Sequence, residues 1–250
     1  MSERSQEGLP AAGGERRALA LPAGLLSVGP MSEPDSTDAA QGNSADTSYA
    51  GLLVDYGGVL TSSLWVSFDE FCAAEGLPPG TIRRQFRDEP EALTLLREFE
   101  RGEIADHEFE RQFAARLGVT AEDLIGRLFA GLRPNTAMVD AVVAAGKAGI
   151  PTGLISNSWG TGIYDRAPLD AFDEVVISGD EGLHKPEPEI YHLGARRIGV
   201  DPSRCVFVDD LRENVLGAER VGMAAVLHRD TEATVLRLEE LLGVQLRQPT

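Results

Sequence analysis

Cysteine is scarce in this chain: Cys72 and Cys205 are the only two, far apart and with no CxxC spacing. A disulfide framework is therefore not expected, and a reducing cytoplasm is the simplest home. Positive charge is short as well. Lys and Arg number 23 against 40 Asp and Glu, a formal net charge of −17. That excess repels nucleic-acid backbones and anionic membrane surfaces, so neither is an expected partner. Long apolar runs are also missing, and no stretch reaches the length of a membrane-spanning helix. A small anionic substrate stays open, because a metal ion or a lysine can invert the field inside one pocket.

What is present suffices for a sizeable core. The 250 residues are 42% hydrophobic, enough for one core or a core with a smaller attached domain. Residues 1–48 are rich in Ala, Gly, Ser, Pro, Asp and Glu without helical or strand periodicity, and read as a disordered leader. Within them, Arg16-Arg17 and the apolar Ala18 to Leu26 imitate an export signal. Acidic residues precede that stretch and no small-x-small cleavage site follows closely, so export is not expected.

The stretch that organises the rest is Gly51 to Thr61, GLLVDYGGVLT, a short apolar run closed by Asp55 and a glycine turn. It reads as a buried strand entering a loop. Residues 63–132 then lack any convincing strand. Leu64, Phe68, Phe71 and Cys72 recur at helical spacing, as do Leu95, Leu96 and Phe99, then Phe109, Phe113 and Leu117, then Leu124, Leu128 and Phe129. These read as a small inserted helical bundle, with core in 49–62 and 133–250. From Pro134 helix and strand alternate: a helix capped by Asn135 and running through Lys147, strands at Thr152–Ile155, Phe172–Ile177, Cys205–Val208 and Ala224–Leu227, and helices at Glu187–Ile198, Asn214–Val221 and Thr231–Leu242. That rhythm predicts an α/β fold, a Rossmann-like doubly wound parallel sheet with an inserted α-helical cap domain. Ligands of such sheets sit beyond the carboxyl ends of the strands.

Polar groups recur at those ends. Asp55, Asp209 and Asp210 bring three carboxylates to one rim, and their repulsion is relieved by a hard cation such as Mg2+. Ser156 and Asn157 offer donors to an anion, and Lys185 a positive charge. A carboxylate nucleophile, a metal, donors and one lysine make a phosphoryl-transfer site. Taken singly, each piece has an ordinary explanation: a turn-forming Asp55, a helix cap at Ser156-Asn157, a solvated Lys185, an N-cap pair at Asp209-Asp210. Four such features at four strand ends favour the joint reading.

The four motifs, VDYGGVLT, LISNS, HKPEPEIY and FVDDLRENVLGAERVGM, resemble those of the haloacid dehalogenase superfamily of hydrolases over about residues 51–243. The helical insert is similar to the family's first-type cap (subfamily I, C1), and EFERGEI at Glu98–Ile104 also looks like that cap. The resemblance implies Asp55 as the nucleophile forming an aspartyl-phosphate, and Ser156 and Lys185 as holders of the phosphoryl group, with Asn157 beside them. It implies Mg2+ bound by Asp55, the Gly57 carbonyl and Asp210, with Asp209 supporting. The expected substrate is a small phosphorylated metabolite.

Gly57 departs from the pattern. Most phosphatases of the family carry a second aspartate there, which protonates the leaving group; glycine cannot, and general acid–base help is worth about 10²–10⁴ in rate. Glu103, Asp106 and His107, at a cap turn, are candidates to stand in. Two alternatives accompany the phosphatase. A 2-haloacid dehalogenase needs no acid for its halide but usually lacks the Asp209-Asp210 pair, and a catalytically idle binding protein has no reason to keep a costly charge cluster.

Overall fold

In a computed structural model of the chain, residues 49–159, 164 and 169–247 are described; the leader expected over 1–48 lies outside them. Five strands form one sheet: β1 (Gly51–Val54), β2 (Thr152–Ser156), β3 (Glu174–Ile177), β4 (Cys205–Asp209) and β5 (Ala224–Leu227). Their order is β3-β2-β1-β4-β5, and every pairing is parallel. β1 therefore sits at the centre, and the crossovers run to both sides of it.

Alternation along the strands feeds two apolar layers. On one face Leu52, Val54, Leu154, Val206 and Val208 pack on Met138 and Val142 of α6 (Thr136–Lys147) and on Val235 and Leu238 of α10 (Thr231–Leu242). On the other, Leu53, Ile155, Val176 and Phe207 meet Ile190 and Tyr191 of α8 (Pro188–Arg197) and Ala218 of α9 (Arg212–Arg220). The sheet is doubly wound, as its sequence rhythm predicts. Asn135 caps α6 by accepting the Met138 N–H at 3.4 Å, and its amide reaches across to the Val59 carbonyl at 2.9 Å and Thr231 Oγ1 at 2.8 Å.

Between β1 and α6 run α1 (Leu64–Ala74), α2 (Thr81–Asp88), α3 (Pro90–Glu100), α4 (Asp106–Leu117) and α5 (Leu124–Phe129). Their apolar faces form a cluster of their own, including Phe68, Phe99, Phe109 and Phe113. The two chain segments entering and leaving them run side by side: Thr61 and Pro134 form an antiparallel bridge, and Ser62 N–H donates to the Arg133 carbonyl at 2.7 Å.

Three details depart from the sequence reading. α2 has no counterpart in it, because Ile82 is its single buried residue and no apolar stripe betrays it. α7 (Ser178–Glu181), one turn of polar residues directly after β3, was equally unmarked. The strand expected from Phe172 starts at Glu174, because the Asp173 carboxylate turns to accept the Thr152 N–H at 2.8 Å.

Candidate active site

The register delivers the polar strand ends to one place. Val54 lies level with Val208 of β4 and Leu154 of β2, so Asp55, the last residue of β4 (Asp209) and the last of β2 (Ser156) emerge at the same edge. Asp55 is 7% exposed and Asp209 fully buried. Between them stands the Lys185 ammonium, only 1% exposed, its Nζ 2.6 Å from Asp55 Oδ1, 2.8 Å from Asp209 Oδ2 and 2.9 Å from the Ile155 carbonyl. All three of its N–H donors are thus used. A lysine before proline is ordinarily solvated; here Asn157 draws it inward. Asn157 Oδ1 accepts the Lys185 N–H at 2.9 Å, and Asn157 Nδ2 donates to the Lys185 carbonyl at 3.2 Å. The Asn157 amide is therefore engaged with the backbone of Lys185.

Asp209 is held rigidly. It accepts the Leu211 N–H at 2.8 Å and the Asn214 amide at 3.1 and 3.0 Å, besides Lys185. Asp210 is less enclosed and approaches the glycine turn: Gly58 has φ +77°, and a Cβ there would overlap the Asp210 carboxylate. Gly57 differs in kind. A Cβ on it would press on the Leu64 side chain of α1 at 3.2 Å, a tight contact that a small shift of that side chain relieves. Beside Gly58 and Asp210 opens a cleft of about 530 Å³, also lined by Arg133, Arg229 and Thr231.

Charge does not balance among these groups. Asp55, Asp209 and Asp210 each offer an oxygen within 4.8 Å of the others, with Lys185 between two of them. Burial raises Asp55 above the usual carboxylate range, Lys185 works against that, and Asp209 and Asp210 add to it. Burial and Asp209 push Asp210 up to about 6. Burial opposes the charge on Lys185, but Asp209 and Asp55 outweigh it and hold the cation. Three carboxylates lie close around one buried ammonium, and a divalent cation fits that donor set of hard oxygens.

Several residues escaped sequence reasoning. Tyr164 donates its hydroxyl to Ser156 Oγ at 2.8 Å and leans on Tyr56, ring centroids 5.3 Å apart. Glu100, the buried last residue of α3, places Oε2 2.6 Å from His184 Nε2, which also lies 2.9 Å from Asn157 Nδ2. Glu103, Asp106 and His107, the suggested proton donors, are exposed. A His next to the lysine motif and a Glu within EFERGEI were the available signals, but nothing local pairs residues so far apart.

The family model for the haloacid dehalogenase-like hydrolases matches residues 49–222, well over half of the chain. The chain belongs to this family. It is a hydrolase, with the parallel-sheet fold of that family. Acyl-CoA dehydrogenase family member 10 of Mus musculus is 29% identical over 215 residues; the match spans 82% of this chain and 20% of that protein, about a fifth of its length. Phosphatase MT3486 of Mycobacterium tuberculosis is 30% identical over 191 residues, 72% of this chain and 87% of the relative. Among solved structures, a wild-type family enzyme from Bacteroides thetaiotaomicron, in complex with magnesium and inorganic phosphate, shares the fold at TM-score 0.57 and 21% identity, covering 72% of this chain and 94% of that one.

Proposed function

We propose that this hydrolase is a Mg2+-dependent phosphatase of a small phosphorylated metabolite, working through an aspartyl-phosphate on Asp55. The observation that carries this reading is the group of three carboxylates, two of which pair with the buried Lys185. Asp55, Asp210 and the Gly57 carbonyl would hold the ion, with Asp209 supporting, and α1 to α5 (residues 63–132) would serve as the cap. When bound, Mg2+ supplies positive charge that lets a phosphate dianion approach these carboxylates. The Mycobacterium relative, which is named a phosphatase, and the magnesium and phosphate of the Bacteroides complex support the same chemistry.

Asp55 attacks phosphorus as the ester P–O bond breaks, and water then attacks the phosphorus and frees Asp55. Lys185 keeps Asp55 aimed and neutralises a phosphoryl oxygen, while Ser156, whose oxygen already accepts from Tyr164, turns its own hydrogen to the substrate. The buried free thiols Cys72 and Cys205 suit a cytoplasmic setting.

A panel of phosphomonoesters assayed with Mg2+ and with chelator tests the reading. Turnover is expected with Mg2+, is lost in chelator, and is abolished by Asp55→Asn. Turnover of 2-chloropropionate that persists in chelator would replace it with a dehalogenase.

A further inference from the structure

Tyr164 lies outside every sequence motif of the site, yet it touches two of them. Its ring packs on Tyr56, the residue after Asp55, with centroids 5.3 Å apart and planes tilted by 51°. Its hydroxyl meets Ser156 Oγ at 2.8 Å. The two strand ends that it joins are already adjacent. Lys185 Nζ lies 2.6 Å from Asp55 Oδ1 and 2.9 Å from the carbonyl of Ile155, the residue before Ser156.

Counting hydrogens fixes the direction of the bond between the two hydroxyls. Tyr164 is buried, and among the described residues Ser156 Oγ is the only hydrogen-bond partner of its hydroxyl. Burial pushes that hydroxyl above the usual tyrosine range, so it keeps its hydrogen. A buried donor without an acceptor is unfavourable, so the phenol hydrogen goes to Ser156 Oγ. The serine oxygen then accepts, and its own hydrogen remains to be given. Its acceptor within the protein is the Asn157 carbonyl at 3.4 Å, long beside the usual O–H···O range of about 2.5–3.0 Å. A phosphoryl oxygen takes that hydrogen at little cost. Without the phenol the serine hydroxyl rotates, and a lone pair can face the anion as readily as the hydrogen.

We propose that Tyr164 is a positioning residue of the phosphoryl site: it donates to Ser156 Oγ and so commits the one serine hydrogen to an oxygen of the transferring phosphoryl group. It does not touch the reacting atoms, and no proton leaves it during turnover. The ring contact with Tyr56 holds the phenol against the segment that carries Asp55.

This role rests on the phosphatase reading, and the experiment separates the two. With Mg2+ saturating and p-nitrophenyl phosphate as substrate, kcat/KM is measured for wild type, Tyr164→Phe, Ser156→Ala and the double variant. Tyr164→Phe keeps the ring and loses only the hydroxyl; it is expected to lower kcat/KM by about 3- to 10-fold. Ser156→Ala removes a hydrogen bond to a charged group and is expected to lower it by about 10- to 100-fold. Adding Tyr164→Phe to Ser156→Ala is expected to change the rate by less than about twofold, because the phenol then has no serine to orient. A merely structural tyrosine would cost the same factor in both backgrounds. Orthophosphate binding with Mg2+, read by calorimetry, should follow the same cycle and needs no turnover. Multiplying losses in the double variant, or no loss in either single variant, would overturn the role of Tyr164 and leave the phosphatase standing. Wild-type protein inert toward phosphomonoesters with Mg2+ would overturn the phosphatase and this role with it.

Discussion

Gly58 and Asp210 share a space that admits one side chain. The positive φ at Gly58 disfavours any L side chain by roughly 1–2 kcal/mol, and its Cβ would displace the Asp210 carboxylate. Gly58→Ala is therefore expected to weaken Mg2+ binding more than stability, read as a raised Mg2+ requirement in turnover with a small change in Tm. Asp210 also sets a pH signature. Its folded pKa of about 6 lies above the 3.8 of an ordinary aspartate, so the metal-free fold takes up protons as pH falls through that window and its stability from this group declines as pH rises. Mg2+ needs the carboxylate. The rise in Tm on adding Mg2+ should shrink as pH drops through 6. A Tm increment flat from pH 5 to 8 would remove Asp210 from the ligand set.

At the scale of elements, one residue of the β2 loop packs into the helices between β1 and α6. Trp159, three residues beyond Ser156, is buried against Phe68 at 5.5 Å, Phe86 at 5.7 Å, Phe109 at 5.8 Å and Phe129 at 5.4 Å between ring centroids. The loop that follows Ser156 therefore plugs the helical cluster. Removing a large core aromatic costs about 3–5 kcal/mol, so Trp159→Ala should shift the urea midpoint accordingly and lower turnover, while Trp159→Phe retains most of both. A cost under about 1 kcal/mol would show that the loop and the helices are packed independently. Periodicity could not reveal this contact, because Trp159 lies outside any helix or strand of the chain.

For the molecule as a whole, a net charge of −17 works against an anionic substrate until it reaches the pocket. Arg133 and Arg229 at the rim and Lys185 within are the local exceptions. Screening that long-range repulsion should help: at fixed saturating Mg2+, kcat/KM for a phosphomonoester is expected to hold level or rise as NaCl goes from about 0.01 to 0.15 M. A steep fall over that range would mean that the field at the entrance is attractive and the global charge irrelevant.

The layers, the strands and the polar residue at each strand end were legible in the sequence. They follow from local rules: alternation of apolar residues, glycine turns, and caps such as Asn135 and the Asp230 side chain that accepts the Ala233 N–H. Tertiary structure alone decided which groups met. It buried Lys185 between Asp55 and Asp209, bound the Asn157 amide to the Lys185 backbone, and brought Glu100 to His184 across 84 positions of chain. Those pairings depend on strand order and register, which place residues distant in sequence within hydrogen-bond reach, and no local pattern encodes them. The sequence thus determined the family fold with an aspartate at its centre; the packing of helices against that sheet decided which distant polar groups meet beside it.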